Sequence, residues 1–208
     1  MAILEPFGKK SILQTLDKVT KEVVYTFKSI SSEELFVRLE GGWSPLETLE
    51  HLIKSSKAVK SALKRSGIFL RLLGGKPKRT SRRYSDLQEA YLRELVSRAH
   101  ADQHSPNRIE HPGSKDEVNK MRQKAMRRWK ALNKEIRATL ELWREKELEE
   151  YQISHPIMGK LTIREMLLLA IYHTLHHLHL IQQRIRRERK RPGRGDEWTG
   201  EDEYWPEP

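Results

Sequence analysis

Apolar residues recur at helical spacing through most of the chain. Ile12, Leu13, Leu16, Val19, Val23, Phe27 and Ile30 fall on one stripe and predict a first long helix from about Lys9 to Ser29. Ser31-Ser32-Glu33-Glu34 reads as the start of a short helix ending near Glu40, and Gly41-Gly42 breaks the chain. The second long helix opens on a capping box: Ser44 at the N-cap, Pro45 in the first turn and Glu47 three residues after the cap. It runs to about Lys64, with Leu49, Leu52, Ser56, Val59 and Leu63 on one stripe, before Gly67 and Gly74-Gly75-Lys76-Pro77 interrupt it. A third helix is expected from about Ser114 to Glu149 on the face of Trp129, Leu132, Ile136, Leu140 and Trp143. A loop around His155-Pro156 and Gly159 leads to a fourth, capped by Thr162 with Glu165 three residues on, and reaching about Glu188.

No segment reads as a convincing strand. Four long amphipathic helices imply an all-α fold, a four-helix bundle. The connection over residues 74–113 is long for a compact domain and should carry structure of its own. Leu87, Tyr91 and Leu95, spaced four apart, predict a helix over Asp86–Arg98. The expected organisation is one bundle over residues 1–190 and a charged extension over 191–208. The back of the fourth helix is also apolar, with Leu167, Leu168, Ile171, Leu175 and Leu178 away from its core-facing stripe. Such a helix needs cover on both sides. A second subunit is the expected cover, giving a homodimer, and the Asp86–Arg98 segment is the alternative.

Composition narrows the chemistry. The 37% hydrophobic and 33% charged content fits a folded, helix-rich chain rather than a disordered one. There is no cysteine, which excludes disulfides, cysteine-based zinc sites and cysteine nucleophiles. Any thiol chemistry must use a thiol that arrives as a cosubstrate. The N-terminus lacks the pattern of a signal peptide, and the longest apolar stretch, Met166 to Tyr172, is too short to span a bilayer. A cytoplasmic protein with no membrane partner is expected. The net charge of +11 is unevenly placed: Lys54 to Arg83 contains no acid, Arg184 to Arg194 is basic, and acids follow from Asp196. Such runs suit nucleic acid, a membrane surface or an anionic small molecule, or simply a solvated surface neutralised by its tail. They lack the series of interleaved aromatics that a base-stacking platform needs, so nucleic acid is not the expected partner.

Four of the nine histidines fall between Tyr172 and His179. His173 and His177, four apart, share one helical face, with Cβ atoms about 5–6 Å apart. Met166, Leu169, Ala170, Leu180 and Ile181 complete that face, so the pair points into the bundle. It can ligate a metal ion or be held as core histidines by carbonyls or water. His51 is the best third ligand on the second helix, where Thr48, Ser55, Ala58 and Ala62 leave room beside it. The stripe of that helix is rotated away, which places His51 at the core's edge. His176 and His179 point elsewhere and read as surface or interface residues. His100, His104 and His111 read as connection residues, and His155 as a structural loop residue or, alternatively, one that approaches the site from the loop. Glu47 and Glu50 flank His51 and read as ordinary surface residues. No Ser-His-Asp set, phosphate loop or dinucleotide fingerprint is present, so no catalytic or substrate-binding residue is assigned.

The stretch from Gly42-Trp43-Ser44-Pro45-Leu46-Glu47 to His51-Leu52, and that from His155-Pro156-Ile157-Met158-Gly159 through Tyr172-His173 to His177-Leu178, resemble the second- and fourth-helix signatures of DinB-like proteins. The resemblance reaches to about residue 188. It implies a four-helix bundle in up-down-down-up order and a divalent metal ion, nickel or zinc, held by His51, His173 and His177. It also implies a dimer and an enzyme that transfers a low-molecular-weight thiol such as bacillithiol, mycothiol or glutathione to an electrophilic small-molecule substrate. A metal-dependent hydrolase and a non-catalytic, stress-associated metal-binding protein are the alternatives. The basic connection and the charged extension depart from the simplest form of the family.

Overall fold

Both helices that carry the candidate ligands start at the residues predicted to cap them. The computed structural model describes residues 6–38, 42–97 and 106–190. Its long helices are α1 (Lys9–Ser29), α2 (Pro45–Leu63), α5 (Lys115–Glu141) and α7 (Ile163–Arg189). Shorter helices α3 (Gly67–Gly74), α4 (Tyr84–Ser97) and α6 (Glu147–Glu150) and a two-stranded hairpin, β1 (Gln152–His155) and β2 (Gly159–Thr162), fill the connections. In α2 the Ser44 hydroxyl accepts from the Glu47 amide while the Glu47 carboxylate accepts from the Ser44 amide; Thr162 and Glu165 repeat the arrangement in α7.

Side-chain pairs fix the helix directions. Asp17 pairs with Arg137, and the Trp129 indole donates to the Thr20 carbonyl, so α1 and α5 are antiparallel. Glu50 meets Arg128 and Lys60 meets Glu135, so α2 and α5 run parallel. Arg164 donates to the Phe7 carbonyl and Gln182 to the Thr26 hydroxyl, so α1 and α7 also run parallel. His51 meets His173, and Gly42 lies beside Arg184, so α2 and α7 are antiparallel. The four helices therefore run up, down, down, up. Phe27, Leu49, Leu52, Trp129, Leu140 and Ile171 are among the fully buried side chains that fill the space between them.

Several connections differ from the pattern in the sequence. Residues 31–40 hold only a 3-10 turn, Glu34–Phe36, among the described positions. The third helix ends at Glu141 rather than Glu149, because the chain turns there to bury Trp143, whose indole donates to the Leu63 carbonyl at 3.1 Å. The expected loop at His155-Pro156 is the tip of a β-hairpin. Gly159 adopts φ +67°, and the His155 imidazole Nδ1 accepts from the amides of Ile157 and Met158 at 3.2 and 3.1 Å. The register pairs His155 with Gly159 and Gln152 with Thr162. The Asp86–Arg98 expectation corresponds to α4, which packs on α7 through Tyr91 and Tyr172.

Leu167, Leu168, Ile171 and Leu178 are buried by the chain itself, and Leu175 is partly buried against the core. The back of α7 is therefore covered without a second subunit, because α1, α2 and α4 all pack on this helix. No helix is long and apolar enough to cross a membrane among the described residues. His100, His104 and the 191–208 extension lie outside the described residues.

Candidate metal centre

His51 projects from α2 one turn after Glu47, and His173 and His177 project from consecutive turns of α7. The His173 Nε2 lies 3.0 Å from the His51 Nε2 and 3.1 Å from the His177 Nε2. One ring nitrogen from each of the three lies within 4.8 Å of the others. One proton in each nitrogen–nitrogen contact makes it an N–H···N hydrogen bond, and a cation among the three nitrogens can take the place of those protons. Tetrahedral ligands at a zinc-like ion stand about 3.3 Å apart, close to the 3.0 and 3.1 Å that separate His173 from the other two. The donor set thus fits a divalent first-row ion.

Contrary to the expected edge position, His51 is buried, at 6% exposure, while His173 and His177 are half-buried. Trp43 closes the site from the N-terminal side of α2. Its ring lies 4.7 Å from that of His51 and stacks on His177 at 5.9 Å with planes 15° apart. Tyr91 of α4 meets His173 edge-on at 6.2 Å. Burial, followed by the neighbouring His173 and His51, holds the pKa of His177 well below the usual histidine value. A neutral imidazole is the form that binds a metal.

The two ligand helices are anchored alike. Glu47, fully buried, receives Arg38 at 2.7 Å and the amides of Ser44 and Ile109 at 2.8 and 2.9 Å. Glu165, also fully buried, binds Arg79 and, at 2.8 Å, the Arg82 side chain, and accepts from the Arg82 and Thr162 amides. Burial alone would raise both carboxyl groups, but the arginines and backbone amides more than reverse it, leaving both pKa values below the ordinary carboxylate range. Glu47 is therefore an anchor rather than the surface residue its position suggests. The partner that buries it, Arg38, lies outside the helix and is invisible to helical periodicity. Glu50 does stay half-exposed, paired with Arg128.

Beside the three histidines lies a cavity of about 390 Å³. Its walls include Val59, Tyr91, Leu95, Ile153, Met166 and Leu169, with Ser55, Ser56, Ser154, His155 and His176 as the polar groups. Among the described residues that line it there is no Asp, Glu, Lys or Arg. His176, expected at the surface, is one of these lining residues. Burial, then His179 and Arg184, lowers its pKa. His155 is both things the sequence allowed, a structural loop residue and a neighbour of the site: its Nδ1 is committed to the hairpin, which leaves Nε2 as the protonated nitrogen of its neutral form. His179 does not line the cavity, and the exposed His111 accepts from the Gly113 amide. Trp43 and Tyr91 were not singled out as site residues. Trp43 carries the one available signal, its place directly before the Ser44 cap.

An up-down-down-up bundle with three histidines gathered between its second and last long helices defines the class of protein. Residues 15–181 match the family model of the DinB superfamily, and the chain belongs to that family. Among solved structures it is similar to YfiT from Bacillus subtilis, described as a probable metal-dependent hydrolase with an unusual four-helix bundle topology. The TM-score is 0.50 at 16% identity, over 86% of this chain and 87% of that one. No curated protein matches the sequence.

Proposed function

We propose that this protein is a metal-dependent enzyme acting on a small molecule, with His51, His173 and His177 holding a divalent nickel or zinc ion. The convergence of their three ring nitrogens within 4.8 Å carries this reading. When bound at three imidazoles, such an ion keeps coordination positions open and lowers the pKa of a thiol or water held there. The cavity supports a thiol as the nucleophile. No carboxylate is among its described lining residues, so the wall offers no strong base, and a thiol needs less help than water to lose its proton. The chain brings no cysteine to compete for the site. The apolar wall suits the body of an electrophilic substrate, while the Nε2–H of His155 and the serine hydroxyls can orient its polar end.

The test is transfer of bacillithiol, mycothiol or glutathione to halogenated and epoxide electrophiles by metal-loaded protein, compared with free metal. Turnover that is lost in folded His51→Ala and His177→Ala variants supports the reading. Rates no higher than the free-metal control would sink transfer and leave a non-catalytic binding role. Hydrolysis is the second reading. His176 favours it, since its lowered pKa makes a neutral, proton-accepting imidazole at the cavity wall. The likeness to YfiT is compatible with it. Hydrolysis of activated esters without added thiol, lost in His176→Phe, would select it.

A further inference from the structure

Six of the eight large apolar side chains exposed among the described residues gather at one end of the bundle. Four stand on α3: Ile68 is 86% exposed, Leu72 79%, Leu73 55% and Phe69 44%. The other two are Phe7 and Leu142, and contacts between elements place them at the same end. The Lys9 ammonium donates to the carbonyls of Glu141 and Trp143, the Trp143 indole donates to Leu63 at the end of α2, and the Trp143 ring packs on Tyr151 beside α3.

The exposed face of α3 is held rigidly. Ser66 caps the helix, accepting from the Phe69 amide, and Leu70 is fully buried beneath it. Its two terminal glycines let it sit close to its neighbours. A Cβ at Gly67 would lie 2.4 Å from the Tyr151 hydroxyl, and one at Gly74 would lie 2.1 Å from the Gln152 carbonyl oxygen. Ile68 and Leu72 stand one helical turn apart, as do Phe69 and Leu73, so the pairs project side by side. A solvated helix has no use for four such side chains on its outer face.

Cations predominate around this face. Lys57, Lys64, Arg65, Arg71, Lys76 and Lys78 belong to the acid-free run from Lys54 to Arg83. The Arg65 guanidinium lies 5.3 Å from the Phe69 ring, and Arg71 lies at the same distance from Tyr151. Of the carboxylates at this end, Glu141, Glu145, Glu147 and Glu149 are each bound to an arginine, Glu135 meets Lys60 and Lys64, and Glu150 acts electrostatically on Arg144. An apolar stripe ringed by cations is complementary to a bilayer surface that carries negative headgroups over an apolar interior. A second copy of the chain would set the same cations against one another.

We propose that α3 docks the protein on anionic membrane surfaces, inserting Ile68 and Leu72 among the acyl chains while the surrounding lysines and arginines bind the headgroups. Surface docking corrects the expectation of no membrane partner, since it needs no helix long enough to cross a bilayer. The site chemistry is not involved, so this proposal stands apart from the metal reading.

The experiment is co-sedimentation of the full chain with vesicles of phosphatidylcholine alone or mixed with phosphatidylglycerol. Binding is expected to the mixed vesicles only, and high salt should weaken it. The double variant Ile68→Asp/Leu72→Asp changes two exposed positions and should keep the helical circular dichroism. It should lower the partition coefficient about tenfold or more. Absence of partition by the wild-type chain, or equal partition by wild type and variant, overturns the proposal. So does sedimentation velocity showing a dimer that the same variant dissociates while vesicles bind neither protein, since the stripe is then a subunit contact.

Discussion

The Trp43 indole stacks on the His177 imidazole, with ring centroids 5.9 Å apart and planes 15° from parallel. A tryptophan against a candidate ligand makes the site visible in solution. Adding nickel to the metal-free protein should quench part of the tryptophan emission. Trp43→Phe should remove most of that response while the other four tryptophans keep the remaining emission.

Removal of a ligand should show directly in metal content. His173 lies between the other two, within 3.1 Å of both, so His173→Ala should lower bound metal by about tenfold or more. Elemental analysis after dialysis reads this, and unchanged circular dichroism separates it from unfolding. Metal retention equal to wild type would show that the ion binds elsewhere.

Loss of the Glu165 anchor should destabilise the fold. Glu165→Gln leaves Arg79 and Arg82 without their carboxylate, and about 2 kcal/mol of stability should go, discounted for the partial exposure of both arginines. The pH dependence has a definite sign. The folded pKa of Glu165 is lowered, so its contribution is complete above the ordinary carboxylate range and is lost as pH falls through the lower folded value. Acid unfolding of metal-free protein should therefore be shallower in the variant. Identical acid profiles would rule out this role.

Gly74→Ala should lower the melting temperature. Its Cβ would meet the Gln152 carbonyl oxygen at 2.1 Å, a backbone atom that cannot rotate away. A cost of about 1–3 kcal/mol is expected, read by thermal denaturation. Gly8→Ala, with nothing near its added carbon, serves as the control.

The long helices and their starts were legible because local rules set them. The stripes of α1, α2 and α7, the Ser44–Glu47 and Thr162–Glu165 boxes and the spacing of His173 and His177 all act within a few residues. His51 stood out on its own helix as the best third ligand, but only the resemblance tied it to His173 and His177, 122 and 126 residues later. The rest is tertiary. The strands of the hairpin have four residues each, too short for alternation to register, and depend on Gly159 and the His155 side chain. The third helix stops at Glu141 because Trp143 finds Leu63, a contact its amphipathic pattern does not encode. His176 reads as a surface residue on its own helix and becomes a cavity residue only beside the hairpin and α4.

The site has a division of labour that an engineer could use. The three histidines stand on α2 and α7, each fixed by its own boxed glutamate, while much of the facing cavity wall is supplied by α4 and the hairpin. The candidate ligands thus come from α2 and α7 alone, while α4 and the hairpin add wall that carries none of them. Grafting new side chains at Tyr91, Leu95, Ser154 or Ile157 could retune which molecules enter without touching a single ligand.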